Sequence, residues 1–321
     1  MFEKKHIYIF GSDAIAVSGL GDYSLSDTME CGQCFRHVRL TPDGSEYVEY
    51  MTVASGKLIF VGQRSRDELI FFGVSDGEFE NICVPYFALD ADYGQIRTDI
   101  LENTDSEFLK NAAEEASGIR ILRQEPWEAL FSFIVSQNNN IPRIKKIIRS
   151  VCSQYGENLA VKEGLSSCPM ECGKRDACGS KLDTGRCSEC GICYSFPTAD
   201  AVKNAPELLL PSHPGFRYKY LVDAAERVTS GEVDLENIAR VGTYENTVTE
   251  LMKIKGVGEK VASCAALFAF GNLEAFPIDV WMRRAIDEYF GGVLDPLSLG
   301  KYAGVAQQYI FHYIRKLSDI V

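Results

Sequence analysis

The stretch that most constrains the fold runs from Leu251 to Arg284 and reads LMKIKGVGEKVASCAALFAFGNLEAFPIDVWMRR. The Gly256-Val257-Gly258 turn joins one helical pattern to the next, and Asp279, just after Pro277, opens a third. Two glycines let the backbone turn tightly and approach a ligand closely. The helix that starts after them points free N–H groups outward, which suits phosphate. Lys260 sits in its first turn. A helix N-terminus disfavours a cation, and burial lowers a lysine pKa. Both favour the neutral amine, which is the nucleophilic form. Taken alone, the pattern also fits a solvated lysine in an ordinary helical hairpin. Asp279 reads as an N-cap, and that position leaves its carboxylate at a helix mouth. An amine and a carboxylate facing one cleft suit attack at a sugar carbon that develops positive charge. The carboxylate steadies the cation and the amine captures it.

The rest of the chain divides in two. Three β-rich runs, Cys34–Leu40, Glu46–Met51 and Lys57–Val61, alternate with turns, and Pro42-Asp43-Gly44 is a good hairpin turn between the first two. Asp105-Ser106-Glu107 opens a helix by a capping pattern and closes this region. Beyond it, Glu125–Ser136 has helical apolar spacing with Pro126 in the first turn. Gln137-Asn138-Asn139-Asn140 marks a turn, since asparagine amides compete for backbone, and a basic helix follows from Ile144 to Tyr155. Residues 302–311 form a further helix. The fold class is therefore α+β: a twisted antiparallel sheet domain over 1–120, then a mainly helical domain over 121–321 carrying a Cys-rich insertion at about 163–194.

Composition limits the partners. The N-terminal residues show no signal peptide and the chain no membrane span, so an intracellular monomer is expected, cytoplasmic and nucleoid-associated in a bacterium or nuclear in a eukaryote. A net charge of −12 argues against a polyanion partner for the surface as a whole. Local basic surfaces set such contacts, however. Basic residues cluster at Arg143, Lys145, Lys146 and Arg149, at Arg217 and Lys219, at Lys253, Lys255 and Lys260, and at Arg283 and Arg284.

Lys-Gly-Val-Gly-Glu-Lys-Val-Ala followed by Phe-Pro-Ile-Asp-Val-Trp resembles the helix-hairpin-helix DNA glycosylases with a catalytic lysine, and more narrowly the 8-oxoguanine DNA glycosylases. Further segments match in order along nearly the whole chain. Gly32-Gln33-Cys34-Phe35-Arg36 resembles the family's Gly-Gln-x-Phe-Arg segment, and the N-terminal sheet its TBP-like domain. The resemblance implies excision of 8-oxoguanine from duplex DNA, opposite cytosine, with strand cleavage at the abasic site. Lys260 would attack the sugar and Asp279 stabilise its positive charge. The carbonyl of Gly32 would accept the N7–H that 8-oxoguanine has and guanine lacks, a contact that guanine's bare acceptor repels. Cys264, Phe268, Gln307 and Phe311 would surround the base. Lys260, Cys264 and Phe268 recur every four residues on one helix face. A Lys260–Cys264 ion pair is a competing account of the lysine.

The resemblance further gives Asn138 the gap left by the extruded base. It makes Arg143 and Arg217 readers of the opposite cytosine and Phe216 a wedge, although Phe216 without the family reads as core. Gly256, Val257 and Gly258 would grip phosphate, their carbonyls holding a monovalent cation. Trp281 departs from the family, which often has histidine there. The alternatives are a helix-hairpin-helix glycosylase for another lesion, such as an oxidised pyrimidine, and a non-catalytic damage binder that would not need Lys260 and Asp279 together.

Six of the 11 cysteines fall between 168 and 193, spaced C-x3-C-x5-C-x8-C-x2-C-x2-C. That is too dense for packing, and an intracellular disulfide framework is unfavourable. Four thiolates on a structural zinc fit best. Cys172, Cys178, Cys187 and Cys190 are taken as the set, with Cys168 and Cys193 as further candidates. The closing C-x2-C-x2-C also suits an iron–sulfur cluster, and the remaining reading is a loop of oxidation-prone thiols. The family resemblance does not cover this segment. Elemental analysis of the purified chain should find about one zinc per molecule. Iron with acid-labile sulfide would select the cluster, and neither metal would remove the site.

Overall fold

The computed structural model describes residues 2–163 and 191–319. Cys168, Cys172, Cys178, Cys187 and Cys190 lie outside the described residues.

The first half is a six-stranded antiparallel sheet. Its strands are β1 (Glu3–Ile9), β2 (Ser12–Ser18), β3 (His37–Arg39), β4 (Val48–Ala54), β5 (Lys57–Gln63) and β6 (Leu69–Phe72), in the order β1-β2-β6-β5-β4-β3. The expected hairpin between β3 and β4 is present. Ser45 N–H donates to the Pro42 carbonyl across the turn at 3.3 Å. Three strands escaped the sequence reading. β1 is an exposed edge strand with little apolar alternation, and it joins β2 through Phe10 and Gly11, whose φ values of 53° and 78° suit a tight hairpin. β3 is shorter than the Cys34–Leu40 run because Cys34 and Phe35 belong to a buried loop.

Strand alternation sorts the sheet's faces. Ile15, Val17, Ile59, Val61 and Phe71 bury one face against Leu25 and Met29 of α1 (Leu25–Glu30) and against Phe79 and Phe87. On the other face, Met51, Val53 and Leu58 pack on Leu159, Ala160, Ile192 and Cys193. These last residues flank the Cys-rich segment. An Asn158–Tyr194 bridge, with Ser195 N–H on the Glu157 carbonyl at 2.8 Å, brings its two flanks side by side.

The second half is helical: α2 (Tyr93–Glu102), α3 (Glu107–Glu115), α4 (Pro126–Ser136), α5 (Ile141–Tyr155), α6 (Ala199–Asn204), α7 (Tyr218–Ser230), α8 (Leu235–Val241), α9 (Tyr244–Leu251), α10 (Glu259–Phe268), α11 (Val280–Tyr289) and α12 (Ala303–Asp319). One apolar core unites them, and α2 and α3 join it although they precede residue 120 in the sequence. Ser106 caps α3 as expected. α5 starts three residues before the expected Ile144. Asn140 caps it, accepting from Arg143 N–H at 3.0 Å, and Pro142 sits in its first turn, where no N–H is needed.

The two halves are joined by buried polar contacts. The Arg36 guanidinium is buried and donates to the Glu128 carboxylate of α4 at 2.8 Å and to the Tyr194 carbonyl. Removing one member of such a pair strands the other charge in a poorly solvated place. Glu128→Ala should cost about 3 kcal/mol of stability, read as a lower urea midpoint. Arg36→Met combined with Glu128→Leu should recover most of that loss. An unchanged midpoint for Glu128→Ala would show that the pair does not support the fold.

Candidate active site

The hairpin places α10. Ile254 and Val257 point into the core, which fixes the turn between α9 and α10. Gly256 is required twice over. Its φ is +80°, and a Cβ there would stand 2.5 Å from the Tyr220 ring. Gly258 occupies the N-cap of α10 without any side-chain cap, so the first-turn amides face outward. Lys260 follows, half-buried, with Nζ 5.8 Å from the Phe133 ring centroid. One turn deeper, Cys264 is 4% exposed. Burial pushes its thiol above the ordinary range, against the opposing pull of Lys260. Phe268 is another turn in and stacks on Phe133 at 5.4 Å and 19°. The expected face therefore exists, but it runs inward from the cleft into the core.

A cavity of about 1140 Å³ opens beside this helix. Gly32, Asn138, Gly258, Lys260, Asp279 and Phe311 all line it. These residues come from both halves of the chain. Asp279 is the N-cap of α11, with Oδ1 accepting from Met282 N–H at 2.9 Å. No described residue donates to its Oδ2. The carboxylate thus serves as cap and cavity wall at once. Gly32, at φ +84°, faces Ile141 and Phe311: a Cβ there would lie 3.4 Å from Ile141 Cδ1 and 3.7 Å from Phe311 Cε1. Gln307 lies one turn before Phe311 on α12 and is buried, its Oε1 accepting from Gln308 Nε2 at 2.8 Å. Trp281 lines the same cavity, with the Arg284 guanidinium 6.0 Å from its ring.

The rim carries the groups expected to meet a duplex. Asn138 is exposed, with the uncommon φ of 47°. Arg143 is exposed in the first turn of α5. Phe216 is 49% exposed, so it is a surface aromatic rather than a core one. Arg217, expected as a second reader of cytosine, is held by the protein itself in this structure. It is 2% exposed and donates from Nε to the Gln137 carbonyl at 2.9 Å and from Nη2 to the Asn138 carbonyl at 2.9 Å. It braces the Asn138 loop from behind, because those turn carbonyls need donors. The sequence reading missed Phe133, Ile141 and Arg315 as cavity residues. Arg315 had a usable signal, lying four residues after Phe311 on one helix.

Fold and site together define a helix-hairpin-helix DNA glycosylase with a lysine in its cleft. Residues 18–130 match the family described as 8-oxoguanine DNA glycosylase, N-terminal domain. The structure of MBOgg1 in complex with a low-affinity DNA ligand is 33% identical, covers 99% of this chain and 99% of its own, and superposes with a TM-score of 0.79. The 8-oxoguanine glycosylase/lyase of Clostridium acetobutylicum, solved with dsDNA containing cytosine opposite 8-oxoG, is 30% identical over 99% of this chain and 98% of its own, with a TM-score of 0.78. The N-glycosylase/DNA lyase of Saccharomyces cerevisiae is 28% identical over 296 residues, 86% of this chain and 70% of that protein. The chain belongs to the 8-oxoguanine DNA glycosylase family.

The double use of Asp279 can be separated. Asp279→Asn should keep the helix cap and the thermal midpoint, whereas Asp279→Ala should lose about 1 kcal/mol. Both should lose glycosylase activity. Full activity in Asp279→Asn would show that the negative charge is dispensable.

Proposed function

We propose that this chain excises 8-oxoguanine from duplex DNA and then cleaves the strand at the abasic site. The observation that carries the reading is the placement of Lys260 and Asp279 on one cavity that Gly32 and Phe311 also line. The base leaves the stack at a cost of a few kcal/mol and enters that cavity. The Lys260 amine forms a bond to C1′ as the glycosidic bond breaks, and the base departs with the bonding electrons and takes up a proton. Asp279 stabilises the positive charge at the sugar. The sugar opens to a Schiff base on Lys260. Loss of a C2′ proton then expels the 3′ phosphate, which nicks the strand, and water frees the lysine.

The exposed rim supports the partner. Asn138 fills the vacated position and Phe216 wedges the kink, while Arg143 donates to acceptors of the opposite cytosine. The amides at the start of α10 hold phosphate. The Val257 carbonyl takes no backbone hydrogen bond from any described residue, which fits its use in holding a monovalent cation. Zinc in the Cys-rich segment remains part of the proposal on spacing alone. No helix among the described residues is long and apolar enough to cross a membrane. A DNA substrate sets the working compartment with the genome, cytoplasmic in a bacterium or nuclear in a eukaryote.

Borohydride trapping on duplexes carrying 8-oxoguanine opposite each of the four bases tests this. Wild type should give a covalent adduct, strongest opposite cytosine, and Lys260→Gln none. An adduct that persists in Lys260→Gln would move the nucleophile elsewhere. No adduct and no nick with wild type would remove 8-oxoguanine as substrate.

A further inference from the structure

Arg315 lies on α12 one turn beyond Phe311 and reaches into the same cavity. Its guanidinium carbon is 5.4 Å from the Phe311 ring centroid. Its Nη1 lies 4.0 Å from the point a Cβ on Gly32 would occupy. A cation and the Gly32 backbone therefore share one wall. Several arginines in the fold have acidic partners, among them Arg36 with Glu128, Arg123 with Asp90, Arg227 with Asp223 and Arg284 with Glu288. Among the described residues no carboxylate pairs with Arg315, and no acceptor takes a hydrogen bond from it. The Gly32 carbonyl likewise receives no hydrogen bond from a described residue. Both residues line the cavity, and neither the guanidinium fork nor the Gly32 carbonyl has a hydrogen-bond partner among the described residues.

8-Oxoguanine differs from guanine at two adjacent ring atoms. N7 gains a hydrogen and becomes a donor, and C8 exchanges its hydrogen for a carbonyl oxygen. The new donor and the new acceptor lie next to each other on one edge. A wall that offers an acceptor beside a cationic donor complements that edge. Guanine presents a lone pair to the carbonyl and a C–H to the guanidinium, so both contacts fail together. A ring-opened formamidopyrimidine also sets an N–H near a formyl oxygen, which fits the same wall.

We propose that Arg315 is a specificity-determining residue that donates a hydrogen bond to O8 of the extruded base, beside the Gly32 contact to N7–H. The assignment rests on the excision reading above. It makes recognition of the lesion a two-point contact, one from the N-terminal loop and one from the last helix.

The test compares two reactions of each protein: single-turnover excision of 8-oxoguanine from a duplex, and nicking of a preformed abasic duplex, which has the same phosphates and no base. In Arg315→Met, excision should fall about 10- to 100-fold more than nicking, the loss expected for a charge-assisted hydrogen bond. Arg315→Lys should recover part of it. A duplex with 8-thioguanine keeps N7–H and replaces O8 by a weaker acceptor. It should slow wild type while affecting Arg315→Met much less. Equal loss of excision and nicking would place Arg315 on the DNA backbone or in the fold and overturn the assignment, as would no loss of either. Failure of unmodified protein to excise 8-oxoguanine would overturn the substrate reading and this assignment with it, and it would be seen before any variant is made.

Discussion

The buried amide of Gln33 is the interaction on which the site depends. Its Nε2 donates to the carbonyls of Thr28 at 2.9 Å and Arg120 at 2.7 Å, and its Oε1 accepts from Leu122 N–H at 2.8 Å. Its own carbonyl accepts from Gln124 Nε2 at 2.7 Å. Gln124 N–H in turn donates to the Phe268 carbonyl at the end of α10 at 2.9 Å. A chain of short polar contacts therefore runs from the residue after Gly32 to the helix that carries Lys260. Each donor and acceptor in it has a partner, so burial gives the network rigidity without an unpaired group. The two walls of the cavity come from distant parts of the sequence, and this network sets their separation.

The rim is built on similar terms. Arg217 holds the carbonyls of Gln137 and Asn138, so an exposed Asn138 sits on a loop braced from inside. On the other flank, Lys145 of α5 lies 3.4 Å from Glu30 and 2.7 Å from His37. Burial drives His37 toward its neutral form. Burial also works against the Glu30 carboxylate, but its contacts with His37 and the Lys145 ammonium hold it below the ordinary carboxylate range. The cluster ties the helix bearing Arg143 to the segment that leads into Gly32. Groups that would meet a ligand are exposed or half-buried, and the groups that aim them are buried. Such a division suits a site that must keep its geometry while a base enters and leaves.

Net charge and site charge point in opposite directions. The chain carries −12 overall, yet the cavity is lined by Lys260, Arg283, Arg284 and Arg315 against Asp279, Asp287 and Glu288, a local balance that is slightly positive. A negative remainder weakens attraction to random DNA and leaves binding to the local surface, where screening by salt is strong.

Much of the local structure is legible from neighbouring residues alone. Gly256, Gly258, Lys260 and Asp279 are readable because hairpins and caps depend on neighbours a few residues apart. Ser106, Pro126 and the Pro42–Gly44 turn are legible for the same reason. Gly32, Asn138 and Phe311 were legible only through resemblance, since nothing local separates a pocket glycine from a turn glycine. Tertiary structure decided what burial decides. It put Arg217 behind the rim, turned Phe216 outward, sent Phe268 into the core and brought Arg315 to Gly32. It also settled β1, an edge strand whose pairing with β2 outweighs its weak alternation. These outcomes depend on partners distant in sequence, and local propensity and spacing carry no information about which distant groups will meet.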